Sequence, residues 1–369
     1  MQLKKKSAPD FIIFITVLAL LSIGIVMVFS SSQYVAYYEH KGDSFYYLKR
    51  QFFNTLLSVI LMIFVMKVNY VKLKELAKPA LIFSFVLLGL LLIGIGIEHK
   101  GSVRWLGAGP FQIQPSEFAK LVMIIYMAKF LSENQHRMKS FRQGFLPPLL
   151  ILGGACALIL MQPDLGTAVA LAGTTFIMLW CAGAKKSHMA LLAGLGICLV
   201  VAAIVFEPYR MERFMSFLDP WKDPQDTGFQ TVQSLLAIGS GGLLGVGLGA
   251  GRAKTFYLPE RHTDFIFSII AEELGFIGGA LVIILFLLLI WRGLKVAITT
   301  SDAFGSMIAI GVTSMVGLQA LINLGVVTGS LPVTGITLPF ISYGGSSLIF
   351  SLAGIGLLLN VSCYAGLDR

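Results

Sequence analysis

The sequence predicts an all-α integral membrane protein, and three observations carry that prediction. Of its 369 residues, 56% are hydrophobic and only 13% charged, where a soluble domain carries about 25% charge. Mean hydropathy is +0.82. The apolar runs are continuous over helix length instead of alternating in short segments, which excludes a closed β-barrel. The whole chain, 1–369, reads as one membrane domain.

About ten transmembrane helices follow from those runs, near 11–31, 52–69, 79–97, 116–132, 146–162, 165–183, 189–206, 264–291, 304–326 and 340–362. The first follows Lys4, Lys5 and Lys6 as a signal peptide would. It reaches the length of about 20 residues that a span needs, and no A-x-A site follows, so it reads as an uncleaved anchor. The eighth is long enough to tilt or to begin outside the hydrocarbon. No internal repeat of the transporter kind is visible. Cys156, Cys181, Cys198 and Cys363 show no metal-ligand spacing and read as packing residues.

The net charge of +9 belongs to topology and not to nucleic acid, because the basic residues are scattered through short loops. With the N-terminus inside, the inner segments hold Lys67, Lys72, Lys74, Lys78, Arg137, Lys139, Arg142, Lys185, Lys186, Arg292, Lys295 and Arg369 besides the N-terminal lysines. The short outer loops hold only Lys41, Lys49, Arg50, Lys100 and Arg104. The positive-inside rule therefore puts both termini in the cytoplasm. It also puts 101–115, the tight link 162–166, the large loop 207–263 between helices 7 and 8, and 325–339 on the outer face.

Within the large loop, Pro208-Tyr-Arg-Met-Glu-Arg-Phe has the basic and aromatic residues that suit lipid headgroups. Residues 228–238 read as a short amphipathic helix lying on the surface. The glycine-rich stretch 239–251 lacks the G-K-[ST] ending of a phosphate loop, so it reads as flexible backbone or close helix packing.

Acidic groups gather at the outer face. Asp264 stands where a charged loop enters an apolar run, and a carboxylate there needs a cation, a metal or a substrate hydroxyl. Glu260, Arg261 and His262 crowd the same turn, a density of titratable groups that points to function, although a helix N-cap is the alternative. Glu117 and Lys120, three apart, share one helix face. They read either as an ion pair that lets both enter the membrane or as a pair facing a water-filled cavity. Asp164 reads as a helix N-cap, a functional carboxylate, or both. Arg104 reads as an anionic-headgroup ligand or as an interfacial anchor beside Trp105. Glu272 and Glu273 lie about 12 Å deeper along the helix axis and are expected to bond to other helices, and Asn323 is expected in a buried interhelical bond. Leu331-Pro-Val-Thr-Gly-Ile-Thr-Leu-Pro-Phe-Ile-Ser-Tyr-Gly-Gly-Ser-Ser reads as a broken or re-entrant segment, tolerable at membrane depth only when buried or lining a cavity. Helix N-termini there, with Ser342 and Ser346, suit a phosphate, while close packing through its glycines is the alternative.

Taken together, Gln114-Pro-Ser-Glu-Phe-Ala-Lys, Gln162-Pro-Asp-Leu-Gly-Thr, Leu258-Pro-Glu-Arg-His-Thr-Asp-Phe-Ile-Phe, Glu272-Glu-Leu-Gly and the Pro332–Ser347 segment resemble the SEDS family (shape, elongation, division and sporulation). The match runs in order along nearly the whole chain. The short termini and Asn360-Val-Ser resemble its sporulation and division members more than its elongation members. The resemblance implies a multi-pass protein of the bacterial cytoplasmic membrane, a peptidoglycan glycosyltransferase that polymerises lipid II on the outer face, in division or in sporulation. It implies Asp264 as the essential residue, with Glu117, Lys120 and Asp164 lining the same cavity. It also favours Mg²⁺ or Mn²⁺, for which Asp264, Glu117 and Asp164 are the candidate ligands. Arg104, Lys120 and Arg210 are candidate pyrophosphate ligands, and a class B penicillin-binding protein transpeptidase is the expected partner beside the membrane lipids. A lipid II flippase and a non-catalytic scaffold recruiting a transpeptidase are the rival functions.

Overall fold

The computed structural model describes residues 7–99, 102–108 and 111–366. Each of the ten apolar runs contains one helix: α1 (Phe11–Glu39), α2 (Tyr46–Lys67), α3 (Leu73–Leu92), α4 (Pro115–Asn134), α5 (Leu146–Leu160), α6 (Leu165–Cys181), α7 (Lys186–Val205), α10 (Ile266–Thr299), α11 (Ala303–Val327) and α12 (Gly345–Ser362). Two shorter helices, α8 (Pro208–Leu218) and α9 (Phe229–Gly241), lie between α7 and α10. Eight of the helical segments among the described residues are long and apolar enough to cross a membrane. Of the other two runs, α4 carries Glu117, Lys120, Lys129 and Glu133, and α6 has only 17 residues.

Helices α11 and α12 are buried along most of their length, α11 between α10, α6 and α4, and α12 against α2. Helix α7 is peripheral and buries only Met189. Some expected boundaries shift. The region 101–115, expected as a loop, contributes to a small antiparallel sheet, β1 (Ile97–His99), β2 (Ser102–Ala108) and β3 (Phe111–Ile113). Helix α12 starts at Gly345 and not near 340, because two prolines and the positive φ of Gly335 and Phe340 keep 331–344 irregular. The second half of that segment, 336–342, is largely buried, as irregular backbone at such depth requires. Gly24 of α1 admits it: a Cβ there would lie 2.7 Å from the Phe340 carbonyl oxygen.

Helix α9 does not lie on the surface as expected. It packs on α10 and buries Thr231, Val232, Ser234 and Ala237. Ser234 Oγ is 2.6 Å from Ser268 Oγ and donates to the Val327 carbonyl at 2.6 Å. The glycine-rich stretch after it is a close-packing device. Helix α10 breaks at Gly275 (φ 66°), and there the Phe276 N–H donates to Gly242 O (2.9 Å) while the Val246 and Gly247 N–H groups donate to Glu272 O (3.0 Å) and Glu273 O (3.1 Å). A side chain at Gly245 would run into the Glu273 carbonyl.

The two ends of the bundle separate the predicted faces. At one end Asp10 caps α1 through the N–H groups of Ile12 and Ile13 and accepts from Arg292 Nε at 3.0 Å. Tyr70 donates to Asp302 (3.1 Å) and Asn360 Nδ2 to Met66 O (2.8 Å) at the same end. The candidate carboxylates, the sheet and the 331–344 segment gather at the other.

Candidate functional site

Asp264 stands just outside its helix. The N-cap position of α10 is Phe265, which leaves Asp264, partly exposed, in the turn before the helix. That turn is fastened to the 331–347 segment. Ser342 Oγ donates to Thr263 O at 2.6 Å and accepts from Leu338 N–H at 2.9 Å. Tyr343 N–H donates to His262 O at 2.9 Å. Asn323 Nδ2, from α11, donates to both Asp264 O (2.7 Å) and Ile336 O (2.8 Å). The buried bond expected of Asn323 is present, but it ties two loops together instead of two helices. A Cβ on Gly335 would lie 3.8 Å from Asp264 Oδ2, in ordinary van der Waals contact, so the segment runs directly beside the carboxylate.

The neighbours in the turn make local contacts. Glu260, at φ 51°, accepts from Thr263 Oγ1 at 2.8 Å. The His262 ring lies against Tyr47 (4.8 Å between centroids) and Tyr343 (5.6 Å). Arg261 is buried, which lowers its pKa from the ordinary guanidinium value, with the Glu39 carboxylate pulling the other way.

The other predicted groups approach through the same segment. Gly166, in the first turn of α6, has no room for a side chain: a Cβ would be 2.8 Å from Thr334 O. Asp164 caps that helix, accepting from Thr167 N–H (3.0 Å) and Thr167 Oγ1 (2.8 Å). Arg104, on β2, donates from Nε to Gln162 O (2.9 Å) and from Nη2 to Pro163 O (2.5 Å), fixing the link that presents Asp164. Ser346 Oγ accepts from Gln114 N–H at 3.0 Å and donates to Gln112 O at 3.2 Å, joining the start of α12 to the start of α4. Two residues into α4 comes Glu117, buried and bonded to buried Lys120 at 2.8 Å. Segment 331–347 is thus the hub on which the Asp264 turn, the Asp164 cap and the Glu117–Lys120 helix meet.

Arg210 is not brought there. It sits on α8, which packs on α7, and donates to Ala203 O (3.0 Å) with its guanidinium 5.3 Å from the Tyr209 ring centre. The three proposed metal ligands form no cage either. Among the described residues, no group of three or more His, Cys, Asp or Glu comes together as a metal site. Asp164 is committed to capping and Glu117 to Lys120. The donor set suits a cation that draws most of its ligands from a bound phosphate, as Mg²⁺ commonly does.

Sequence reasoning missed Lys254. It is fully buried and pairs at 2.7 Å with Glu273 Oε1, which also takes a hydrogen bond from Ser30 of α1. A signal was available: Glu273 stands in an apolar run and needs a cation, and Arg252 and Lys254 are the basic residues that directly follow the glycine-rich stretch. The aromatic packing of Tyr47 and Tyr343 around His262 left no comparable signal.

Comparison with known proteins fits this geometry. The FtsW/RodA/SpoVE family model, described as "Cell cycle protein", matches residues 11–366. Stage V sporulation protein E of Bacillus subtilis (strain 168) is 50% identical over 362 residues, covering 98% of this chain and 99% of that protein. A probable peptidoglycan glycosyltransferase FtsW of Geobacter sp. (strain M18) is 45% identical, covering 98% of each. Among solved structures, the rod shape determining protein RodA of Thermus thermophilus matches with TM-score 0.72 and 32% identity over 98% of this chain and 99% of its own. A chain from a peptidoglycan synthase complex that coordinates polymerization and crosslinking matches with TM-score 0.80 and 32% identity over 96% and 98%. This chain, over nearly its whole length, belongs to the FtsW/RodA/SpoVE family of cell cycle proteins.

Proposed function

We propose that this protein is a peptidoglycan glycosyltransferase that polymerises lipid II, the undecaprenyl-pyrophosphoryl disaccharide-pentapeptide, at the outer face of the bacterial cytoplasmic membrane. Its setting is wall synthesis in division or sporulation, beside a class B penicillin-binding protein transpeptidase. The observation that supports this best is the hub: one irregular, partly buried segment receives the Asp264 turn, the Asp164 cap and the Glu117–Lys120 helix. A scaffold that only recruits a partner has no use for a carboxylate presented as Asp264 is, just outside its helix and beside the hub.

The reaction joins the 4-hydroxyl oxygen of one disaccharide to the anomeric carbon of another. The bond from that carbon to the pyrophosphate oxygen breaks, and its electron pair leaves with undecaprenyl pyrophosphate. Asp264 takes the hydroxyl proton as general base, from a turn whose backbone is held at Thr263 and Asp264 by Ser342 and Asn323. Lys120 and Arg104 bring positive charge towards the departing pyrophosphate, as an oxyanion-type site requires. Arg104 does so while spending two nitrogens on backbone carbonyls. Arg210, remote from the hub, is assigned to membrane headgroups on α8. Asp264 is also the residue that would hold a divalent cation, Mg²⁺ or Mn²⁺, which would supply positive charge to offset that of the leaving group.

The test is polymerisation of labelled lipid II by purified protein, with and without a partner transpeptidase and with and without exhaustive chelation. Glycan chains in detergent are expected. Headgroup translocation in liposomes without polymer would make the protein a flippase. Loss of polymer on chelation, restored by Mg²⁺ or Mn²⁺, is the expected metal result. Full activity after chelation would leave Asp264 as base and the leaving-group charge to Lys120 and Arg104.

A further inference from the structure

Lys254 and Glu273 are fully buried, and neither takes part in the chemistry above. Lys254 Nζ donates to Glu273 Oε1 at 2.7 Å and to Ser30 Oγ at 3.1 Å. Ser30 Oγ in turn lies 2.6 Å from Glu273 Oε2, and the Gly249 N–H donates to the same oxygen at 2.9 Å. The adjacent Glu272 accepts from the backbone N–H groups of Arg252 (2.7 Å) and Ala253 (3.2 Å). Three segments therefore meet on one carboxylate pair: α1, the loop 249–254 and α10 just before its break at Gly275.

Burying an ion pair gives no more stability than apolar side chains of the same volume would, because both charges must leave water. What the pair does supply is a fixed register. It closes residues 254–273 into a loop with the ion pair at its base, and Asp264 stands midway along that loop. The apex is held separately, by Ser342, Tyr343 and Asn323. With the base released, the turn would lose one of the anchors that place its carboxylate.

We infer that Lys254 and Glu273 are positioning residues, which hold the base of the Asp264 loop against α1 so that its carboxylate is presented at the hub. The inference deepens the proposed function, and its kinetic consequence rests on that reading. Its structural consequence does not.

Lys254→Met keeps the length of the side chain without its charge, whereas Lys254→Arg keeps the charge and donors to Glu273. In Lys254→Met, kcat should fall on the order of 10²-fold, the loss a displacement of about 1 Å can cause. KM should stay close to wild type, while the thermal midpoint should fall, because Glu273 is left buried without its cation. Hydrogen exchange should quicken at the amides of 258–265 while α11 and α12 keep their protection. Lys254→Arg should recover much of the activity. Wild-type kcat per folded molecule, unchanged exchange at 258–265, or no rescue by arginine would each overturn the inference. Should Lys254→Met not reach the membrane folded, Glu273→Gln, which keeps an acceptor for Ser30 and Gly249, takes its place. The same fall in kcat and the same faster exchange are then expected, and wild-type values of either would overturn the inference. A wild type that makes no polymer would defeat the proposed function instead, and the exchange measurement alone would then decide between a held and a free loop.

Discussion

At the scale of single residues, the two aspartates with similar sequence surroundings separate. Asp164 does the work of an N-cap, with both carboxylate oxygens taken up by Thr167. Asp264 stands outside its helix, in a turn whose backbone is held by other elements. Sequence could not separate them, because a polar residue before an apolar run reads the same whether it caps or not. The difference lies in where the helix begins, two residues after Asp264, and boundaries are set by tertiary contacts. Asp264→Asn should therefore abolish polymerisation without removing the protein from the membrane. Asparagine keeps the shape but is neither a base nor an anionic ligand, so a rate loss of about 10²–10⁴-fold is expected. The comparison is made on lipid II polymerisation at matched yield and thermal stability. Near-normal polymer from Asp264→Asn would take the residue out of the mechanism.

At the scale of elements, the helices were legible and their partners were not. Each of the ten continuous apolar runs overlaps a helix. Among the described residues, eight of these are long and apolar enough to cross a membrane, where a helix satisfies its own backbone. The sheet at 97–113 was hidden because its strands are short, and their pairing depends on a register that no periodicity announces. The glycine-rich stretch looked flexible because glycine spacing does not say what approaches it. Its contact with the break in α10 yields a contrast between two residues of the same backbone conformation. Gly245 and Gly249 both have φ of +82°, but only Gly245 faces another backbone, that of Glu273 and Gly275, while Gly249 has open space. Alanine at either site meets the left-handed cost of about 1–2 kcal/mol. At Gly245 it adds an overpacking cost of about 1–3 kcal/mol. Thermal unfolding in detergent should rank Gly245→Ala clearly below Gly249→Ala. Equal midpoints would mean that the loop does not rest on the kink.

At the scale of the whole molecule, the lysine and arginine bias and the fold lead independently to the same division. The bias assigns segments to two faces from charge alone. The structure collects the predicted outer segments at one end through the 331–347 hub, and the predicted inner ones at the other through Asp10–Arg292, Tyr70–Asp302 and Asn360–Met66. Such agreement was legible because positive charge follows the cytoplasmic side whatever the packing. The assembly of the hub was not, since Gly166, Gly335 and Ser346 act through contacts between residues far apart in sequence. The division predicts opposite accessibility for two lysines. Lys222 lies in the loop between α8 and α9 on the proposed outer side, and Lys139 in the turn between α4 and α5 on the inner. Cys181 and Cys198 are exposed natural thiols, so all four cysteines must first be replaced. In that background, an impermeant thiol reagent added to intact cells should label a cysteine at 222 and spare one at 139, with the pattern completed only after the membrane is opened. Labelling at 139 in intact cells would invert the molecule. It would put Asp264 on the cytoplasmic side, and the proposed polymerisation at the outer face would fall with the orientation.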